Sequence, residues 1–269
     1  MTDSLPVGAA DGPPGPHAGA TGDSLDEADR TDLVDVWTLR IPGQAAAAAA
    51  RAGILDAEET KRAAGFQDPA ARTRFVTSHV GLRVLLGARL GTAPQDVVLM
   101  RERCGMPDCE KPHGRPAVAG RHGVHFSLSH SGDFALYALA ASPVGADIDS
   151  LEVAGAGLER MARRLHPDET QALSALPATA RQEALLGCWV RKEAFLKGIG
   201  TGLPGGIGAH HVGLAEAVAP PWAPPVPDGW ALFDVPAPDG HHAAVALRLQ
   251  GPAGRSRLPT MRASRLLLE

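Results

Sequence analysis

Apolar and polar positions along the chain alternate with two different periods. Runs with the short period of a strand, or with continuous apolar character, predict seven extended segments. They are Val34–Ile41, Val97–Met100, Val124–Leu128, Phe134–Ala140, Val144–Ile148, Trp230–Val235 and Ala243–Leu249. Turn residues at Ser131-Gly132-Asp133 and Pro238-Asp239-Gly240 join two pairs of these runs, so the pattern predicts two hairpins.

Capping residues mark the predicted helices. Asp56 is a predicted N-cap, and Asp68-Pro69 predicts the start of a long helix that ends near Leu90 before Gly91. Further helices are predicted over Leu158–Leu165, Asp168–Leu176 and Arg181–Lys197. The glycine-rich stretch Gly198–Gly208 predicts a loop.

The order of elements repeats: a strand, helices and strands are followed by a strand, helices and strands. This order predicts an α+β protein of two similarly sized halves. We expect an N-terminal α+β subdomain over 31–143 and a C-terminal α+β subdomain over 144–250. Residues 1–30, poor in large apolar side chains, are expected to form a disordered N-terminal tail, and residues 251–269 a loosely attached C-terminal tail.

Composition narrows the function classes. The 269 residues carry a formal net charge of −4, which argues against a generally basic nucleic-acid binder. The sequence shows no apolar run of membrane-spanning length and no signal-peptide pattern, and its three cysteines cannot all pair with one another. A cytoplasmic location, away from nucleic acid and membranes, is therefore expected.

Acidic residues in two separate segments carry the clearest chemical signal. Asp147 and Asp149 alternate on a predicted strand, and Glu193 and Lys197 are four residues apart on a predicted helix, so each pair shares one face. If that strand and helix meet, three carboxylates and an ammonium group converge and can hold a divalent cation and a phosphate chain. The alternative is a solvated strand face and an ordinary surface ion pair.

A second signal lies at the tip of the first predicted hairpin. The segment His125–Ser131 ends in Ser-His-Ser and follows Gly114-Arg115-Pro116. Hydroxyl groups, an imidazole and turn amides at one tip are phosphate-binding groups. On its own, His130 is equally well explained as a residue that caps the hairpin.

Taken together, the segments resemble the Sfp-type 4′-phosphopantetheinyl transferase family. The residues that carry the resemblance are GRPAV (114–118), FSLSHS (126–131), GADID (145–149) and WVRKEAFLKGIGTGL (189–203). The resemblance implies a pseudo-twofold pair of similar α/β subdomains with the active site in the cleft between them. It also implies a monomeric, Mg²⁺-dependent enzyme that transfers the 4′-phosphopantetheine group of coenzyme A (CoA) to a serine of an apo acyl or peptidyl carrier protein. Adenosine 3′,5′-bisphosphate would leave, and the carriers would serve polyketide, nonribosomal-peptide or fatty-acid synthesis.

The resemblance also implies roles for individual residues. Asp147, Asp149 and Glu193 would ligate Mg²⁺, and Lys197 would contact the pyrophosphate of CoA. Glu193 is the candidate proton acceptor, so Glu193, Lys197 and Asp147 are the expected catalytic residues. Lys192 would assist phosphate binding or orient Glu193. The remaining residues expected to bind CoA are Arg74, Arg83, Arg115, Ser129 and His130.

Departures from the family pattern leave three questions. The strand motif ends in Asp149 where the family usually has Glu, so this shorter side chain is expected to reach the ion through water. Arg160, Arg163 and Arg164 could dock an acidic carrier protein or could form a solvated basic helix face. Cys104, Cys109 and His113 could hold a structural Zn²⁺, although the sequence shows no fourth ligand nearby; otherwise the cysteines are buried or form a labile disulfide.

Overall fold

The computed structural model of the chain describes residues 33–104, 114–121, 123–150, 156–202, 206–214, 226–250 and 260–268. Its strands are β1 (Leu33–Arg40), β2 (Leu99–Arg101), β3 (Pro116–Val118), β4 (His125–Ser131), β5 (Phe134–Ala140), β6 (Val144–Ser150), β7 (Trp230–Val235), β8 (His241–Arg248) and β9 (Thr260–Arg265). Its α-helices are α1 (Ile41–Ala50), α2 (Ala57–Ala64), α3 (Pro69–Leu90), α4 (Ala156–Ala162), α5 (Pro167–Ala175) and α6 (Ala178–Ile199). This mixture of helices and sheets confirms the predicted α+β class.

The described strands form three sheets. The largest has the order β4-β5-β1-β9, the second has the order β6-β8-β7, and β2 pairs with β3 alone. Both predicted hairpins are present as antiparallel pairs, β4 with β5 and β7 with β8. Strand β9 runs parallel to β1, so the chain returns at its end to the sheet in which it began.

Local sequence explains the ends of the long helix α3. The Asp68 carboxylate accepts the backbone N–H groups of Ala70 and Ala71 at 2.9 and 3.1 Å, which caps the helix at its N-terminus. Gly91 ends it in the left-handed conformation with φ of +65°. Both signals confirm the boundaries predicted for this helix.

Apolar side chains pack in layers around the two larger sheets. One cluster joins α1 and α3 to the first sheet, and another joins α5 and α6 to the second. Between the sheets, Val36 and Leu136 belong to the same buried cluster as Ile148 and Val245. The sheets are therefore held together by burial of the apolar faces that they turn towards each other.

Helix α6 lies unusually close to β6. A Cβ atom on Gly145 would overlap the Ala194 carbonyl oxygen, and one on Gly198 would lie 2.7 Å from the Trp230 ring. The hydroxyl of Ser127 on β4 accepts the backbone N–H of Ala146 on β6 at 2.9 Å. These close approaches bring β4, β6 and α6 together along one seam.

One helix has no counterpart among the predicted elements, and one predicted tail is packed against the fold. The alanine-rich segment Ala45–Ala50 lies in helix α1, which follows β1 directly and whose N-terminus has no side-chain cap that could mark it in the sequence. The C-terminal region is not a loose tail where it is described, because β9 pairs with β1 and Leu266 and Leu268 are buried in the first apolar cluster. The predicted N-terminal tail over 1–30 lies outside the described residues.

Candidate active site

Alternate serines of β4 donate hydrogen bonds to the two aspartates of β6. The Ser129 hydroxyl donates to Oδ1 of Asp147 at 2.7 Å, and the Ser131 hydroxyl donates to Oδ1 of Asp149 at 3.0 Å. Side chains two residues apart on a strand share a face, so both pairs form on the same side of the seam. The predicted Ser-His-Ser tip and the predicted acidic strand therefore form one site.

Lys197 joins this site from helix α6. Its ammonium group donates to Oδ1 of Asp147 at 2.6 Å, to the Ser129 hydroxyl at 3.0 Å and to the Ala146 carbonyl at 3.1 Å. Glu193 lies one helical turn before Lys197, on the same face of α6. Of the four charged groups expected to converge if the strand and helix meet, Asp147 and Lys197 are in direct contact, and Ser129 joins them.

The acids of the site carry more negative charge than their surroundings neutralise. Burial raises the pKa of Asp147, and the ammonium of Lys197 and the Ser129 hydroxyl only partly offset that rise. The pKa of Glu193 is also raised, first by burial and then by the negative charge of Asp147, against a smaller opposing effect of Lys197. A further positive charge would therefore be stabilised at this position.

Carboxylate and hydroxyl oxygens are the ligands that a hard cation such as Mg²⁺ prefers. The donor chemistry of Asp147, Asp149 and Glu193 thus fits that ion. Within the described residues, these three acids are not among the groups whose ligand atoms all lie within 4.8 Å of one another. Mg²⁺ usually keeps several water ligands, which suits a site whose carboxylates are spaced more widely.

A cavity of about 680 Å³ opens beside this cluster. Lys197 of α6 lies in its wall together with Ser127 and His130 of β4 in the first sheet. Positive side chains of Arg62, Arg101 and Arg115 also line it. Three carboxylates at the start of α2 line it as well, so the wall beside the acidic cluster carries charges of both signs.

Arg115 and His130 both line the cavity. Arg115 donates to the Glu102 carboxylate at 2.6 Å and to the Gly198 carbonyl at 2.9 Å, so it is fixed against the end of α6. The His130 side chain is exposed at the edge of the cavity. Surrounding protein atoms lower its pKa by partial desolvation, and the positive charges of His79, Lys197 and Arg74 lower it further.

Helix α3 contributes two cavity residues that the sequence analysis did not single out. The rings of Phe75 and His79 stack with centroids 4.0 Å apart, and the Arg62 guanidinium lies 5.2 Å from the Phe75 ring centroid. Their spacing of four residues could have suggested a shared helix face, but an aromatic residue at such a spacing is more often part of the core. Arg74, half-exposed on the same helix, pairs with Asp68 at 3.5 Å.

The prediction that Arg83 binds CoA is wrong. Its side chain is fully buried, donates to the carboxylates of Glu59 at 2.5 Å and Asp56 at 2.6 Å, and reaches the carbonyls of Pro94 and Val97. Two carboxylates and two carbonyls satisfy the guanidinium, so it joins α2, α3 and the segment that leads to β2. Arg83 stabilises the fold and does not face the cavity.

The prediction for Lys192 is wrong as well. Its ammonium lies 2.6 Å from the Glu169 carboxylate and donates to the His210 carbonyl at 2.6 Å, with both side chains of the ion pair buried. One residue along an α-helix turns the side chain by about 100°, so Lys192 points away from the face that carries Glu193. It organises the C-terminal half instead of binding phosphate.

The candidate docking arginines lie at the end of helix α4, with Arg160 in its last turn and Arg163 and Arg164 just after it. Arg160 and Arg163 are exposed, and Arg163 pairs with Glu159 at 3.6 Å. The Arg164 guanidinium lies 5.8 Å from the Trp189 ring centroid, and its charge reaches Glu193. This basic group therefore adjoins the same helix face as the acidic cluster.

The predicted cluster of Cys104, Cys109 and His113 is only partly described. Cys104 is buried with a free thiol, while Cys109 and His113 lie outside the described residues.

Within the described ranges, every helix is too short or too polar to cross a membrane.

Known proteins resemble this chain in sequence. A family model described as the 4′-phosphopantetheinyl transferase superfamily matches residues 143–223. The 4′-phosphopantetheinyl transferase HetI of Nostoc is 29% identical over 222 residues, which cover 81% of this chain and 88% of that protein. The 4′-phosphopantetheinyl transferase psf-1 of Bacillus pumilus is 30% identical over 166 residues, covering 59% of this chain and 67% of that protein.

A Synechocystis protein assigned to the same enzyme class is 30% identical over 157 residues. The aligned stretch covers 57% of this chain and 60% of that relative. The family match begins at β6 and runs through α6, so it includes Asp147, Asp149, Glu193 and Lys197. The chain belongs to the 4′-phosphopantetheinyl transferase superfamily.

Proposed function

We propose that the protein transfers the 4′-phosphopantetheine group of CoA to a serine of an apo acyl or peptidyl carrier protein and releases adenosine 3′,5′-bisphosphate. The observation that carries the proposal is that Lys197, which lines the cavity, contacts Ser129 and the buried Asp147. Transfer of a phosphoryl-linked group depends mainly on positioning and charge neutralisation, which this arrangement supplies.

The cavity is the proposed CoA site. Its volume of about 680 Å³ lies within the usual range of ligand pockets, roughly 300–1,000 Å³. Arg115, Ser129 and His130 would hold the adenosine 3′-phosphate end, and Arg74 would add positive charge at the edge near His130. Lys197, which also lines the cavity, would contact the pyrophosphate.

Asp147, Asp149 and Glu193 are the proposed Mg²⁺ ligands. The support is their oxygen chemistry and their proximity, because the negative charges of Asp147 and Asp149 add to burial in raising the pKa of Glu193. Mg²⁺ bound there would neutralise the pyrophosphate oxygens and the charge that develops on the leaving phosphate. Asp149 reaches Ser131 at 3.0 Å, and its short side chain would meet the ion through water.

Glu193 is the proposed proton acceptor. The carrier serine oxygen would form a bond to the phosphorus that bears pantetheine, the bond from that phosphorus to the bridging oxygen would break, and the serine proton would pass to Glu193. A raised pKa makes this carboxylate a stronger base than an ordinary glutamate. Near-normal turnover of Glu193→Gln at saturating Mg²⁺ would exclude this role.

The carrier protein is proposed to dock on the basic group formed by Arg160, Arg163 and Arg164. Its position beside Trp189 and the Glu193 face supports that assignment. Reversal of charge at Arg163 and Arg164 should raise the KM for the carrier and leave CoA affinity unchanged. An unchanged carrier KM would favour a solvated basic surface.

The two predicted subdomains, 31–143 and 144–250, are proposed to form a pseudo-twofold pair around the cavity. Phe126 of β4 and Lys197 of α6 line it from the two halves, which supports a cleft between them. Because one chain supplies both walls, we propose that the protein is a monomer. A cytoplasmic location is proposed as well. Carriers of polyketide, nonribosomal-peptide or fatty-acid synthesis are the proposed substrates.

The test is incubation of the full chain with CoA, Mg²⁺ and an apo carrier protein, followed by intact-mass measurement of the carrier. We expect the carrier to gain the mass of one phosphopantetheine group, with adenosine 3′,5′-bisphosphate as the second product. The gain should disappear in Asp147→Ala and on chelation of Mg²⁺. CoA binding without any mass gain would instead indicate a binding module.

A further inference from the structure

We propose that His166, Asp168 and His211 form a binding site for a divalent transition metal ion, separate from the acidic cluster around Asp147. The three side chains offer two imidazole nitrogens and one carboxylate oxygen, and these atoms all lie within 4.8 Å of one another. Two imidazoles and a carboxylate are a ligand set for borderline ions such as Zn²⁺ or Co²⁺ and are less suited to Mg²⁺.

The separations in this cluster approach those of a metal site. Nδ1 of His166 lies 3.6 Å from Oδ2 of Asp168, and the rings of His166 and His211 have centroids 5.2 Å apart. Two ligands bound tetrahedrally to one Zn²⁺ at their usual distances are about 3.4 Å apart. Side-chain rotation would have to bring the three atoms closer to one ion, and a His166 Nδ1 that bound the ion would give up its hydrogen bond from the Asp168 N–H.

A buried carboxylate fixes the two histidine-bearing segments to each other. Oε2 of Glu169 accepts the backbone N–H of His166 at 3.0 Å, and Oε1 accepts that of Val212 at 2.8 Å. Glu169 thus holds the start of α5 beside the residue that follows His211. The positions of both imidazoles are set by the backbone before any ion binds, which reduces the cost of assembling the site.

Helix α6 holds the His211 segment from its other side. Lys192, paired with Glu169, donates to the carbonyl of His210 at 2.6 Å, and Arg191 donates to the carbonyl of Val212 at 3.1 and 3.2 Å. The residues on both sides of His211 are therefore anchored. The buried Lys192–Glu169 pair, which contacts neither the cavity nor the acidic cluster, thus positions the segment that carries His211.

Helix capping alone does not account for the cluster. His166 is the N-cap of α5, and its Nδ1 accepts the Asp168 backbone N–H at 3.3 Å. That role needs an acceptor atom at position 166, but it gives no reason for His211 to lie against the same helix end. With three protein ligands, the ion would keep coordination positions for water.

The test uses Co²⁺ as a probe, titrated into the full chain in saturating Mg²⁺ so that the acidic cluster is already filled. His166→Asn removes the imidazole and keeps an N-cap acceptor, because Asn is among the preferred N-cap residues. His211→Asn removes the second imidazole. His242→Asn, which changes a histidine of β8 outside the cluster, is the matched control.

We expect one Co²⁺ per chain in the wild type and in His242→Asn, with visible absorption bands and a raised melting temperature. His166→Asn and His211→Asn should each bind Co²⁺ about tenfold more weakly or worse. Equal Co²⁺ affinity in the wild type and both cluster variants would overturn the proposal. So would binding that disappears in Asp147→Asn but survives in His166→Asn.

Discussion

The Lys197 ammonium lies 2.6 Å from the Asp147 carboxylate, although the residues are 50 positions apart in the chain. This contact joins α6 to β6 at the point where Ser129 of β4 also reaches Asp147. The pKa values of Asp147 and Glu193 nevertheless remain raised, chiefly by burial, despite the opposing effect of Lys197. The site as folded attracts a cation and a phosphate group together.

The raised pKa of Glu193 predicts a specific pH dependence of stability. The folded protein holds the Glu193 proton more tightly than the unfolded chain, whose glutamate titrates near 4.5. The free energy of unfolding that Glu193 contributes therefore falls as pH rises above about 4.5, in the absence of Mg²⁺. Glu193→Gln should gain stability relative to the wild type as pH increases from about 4.5 to 8.

Denaturant unfolding of the two proteins at several pH values, with chelator present, measures this difference. The account is contradicted if the relative stability of Glu193→Gln is constant or declines over that range. Addition of Mg²⁺ should stabilise the wild type more than the variant, because the ion supplies the missing positive charge at a carboxylate that the variant lacks.

Substitutions of two arginines of α3 should have different effects: one should destabilise the fold, and the other should weaken CoA binding. Arg83→Ala leaves the buried Glu59 carboxylate without its main partner, and loss of one member of such a pair costs about 3–5 kcal/mol. Arg74→Ala removes a half-exposed ion pair with Asp68, worth about 0–1 kcal/mol. Under the proposed function, Arg74→Ala should raise the KM for CoA while its unfolding midpoint stays close to that of the wild type.

Denaturant midpoints and CoA kinetics of both variants check this contrast. An Arg83→Ala protein of normal stability with poor CoA affinity would restore the original assignment of Arg83 to the CoA site.

The sequence predicted the elements of this site better than the direction of each long side chain. Alternation placed Asp147 and Asp149 on one face of a strand, and a spacing of four placed Glu193 and Lys197 on one face of a helix; both relations hold. Arg83 and Lys192 were misassigned because a charged residue in a helix gives no sign of a distant buried partner. Glu59 and Glu169 are 24 and 23 positions away from them, beyond the reach of any local pattern.

The C-terminal strand was missed for a related reason. The segment Thr260–Arg265 is largely exposed and basic, and it is a strand because its backbone pairs with β1. Pairing with a strand more than two hundred residues earlier leaves little trace in local composition. Likewise, helix α1 was not predicted, because it has no capping side chain at its N-terminus and its alanine-rich sequence is of low complexity.

Lys192 provides a prediction about the core of the C-terminal half. Lys192→Met removes a buried partner of Glu169 and leaves the His210 carbonyl without its donor. We expect a loss of about 3–5 kcal/mol in the free energy of unfolding. Because Lys192 does not line the cavity, the KM for CoA of the folded fraction should change by less than about twofold.

A double variant, Lys192→Met with Glu169→Gln, removes both charges and supplies the control. It should recover part of the lost stability, since no unpaired buried charge remains. A Lys192→Met protein of full stability but weakened CoA binding would contradict this assignment.

Leu268 tests the attachment of the C-terminal segment. Its side chain is 4% exposed in the first apolar cluster, and its backbone N–H donates to the Gln44 side chain at 2.6 Å. Leu268→Ala should cost about 2–5 kcal/mol by creating a cavity. Leu267→Ala, at a neighbouring exposed position, is the control and should change the unfolding midpoint little.

Thermal or denaturant unfolding of the two leucine variants distinguishes a packed segment from a loose one. Equal midpoints for both variants and the wild type would mean that residues 260–268 do not contribute to the core.

The most direct test of the central claim is the single-turnover rate of phosphopantetheine transfer to an apo carrier by Asp147→Asn, at saturating CoA and Mg²⁺. Asp234→Asn is the matched control. Asp234 lies away from the seam and pairs with Arg191 at a distance of 2.8 Å. We predict a fall of at least about a hundredfold for Asp147→Asn, as for loss of a charge-stabilising group in an active site, and a rate near that of the wild type for Asp234→Asn. Equal transfer rates for the wild type and Asp147→Asn would contradict the assignment of the β4–β6–α6 seam as the active site.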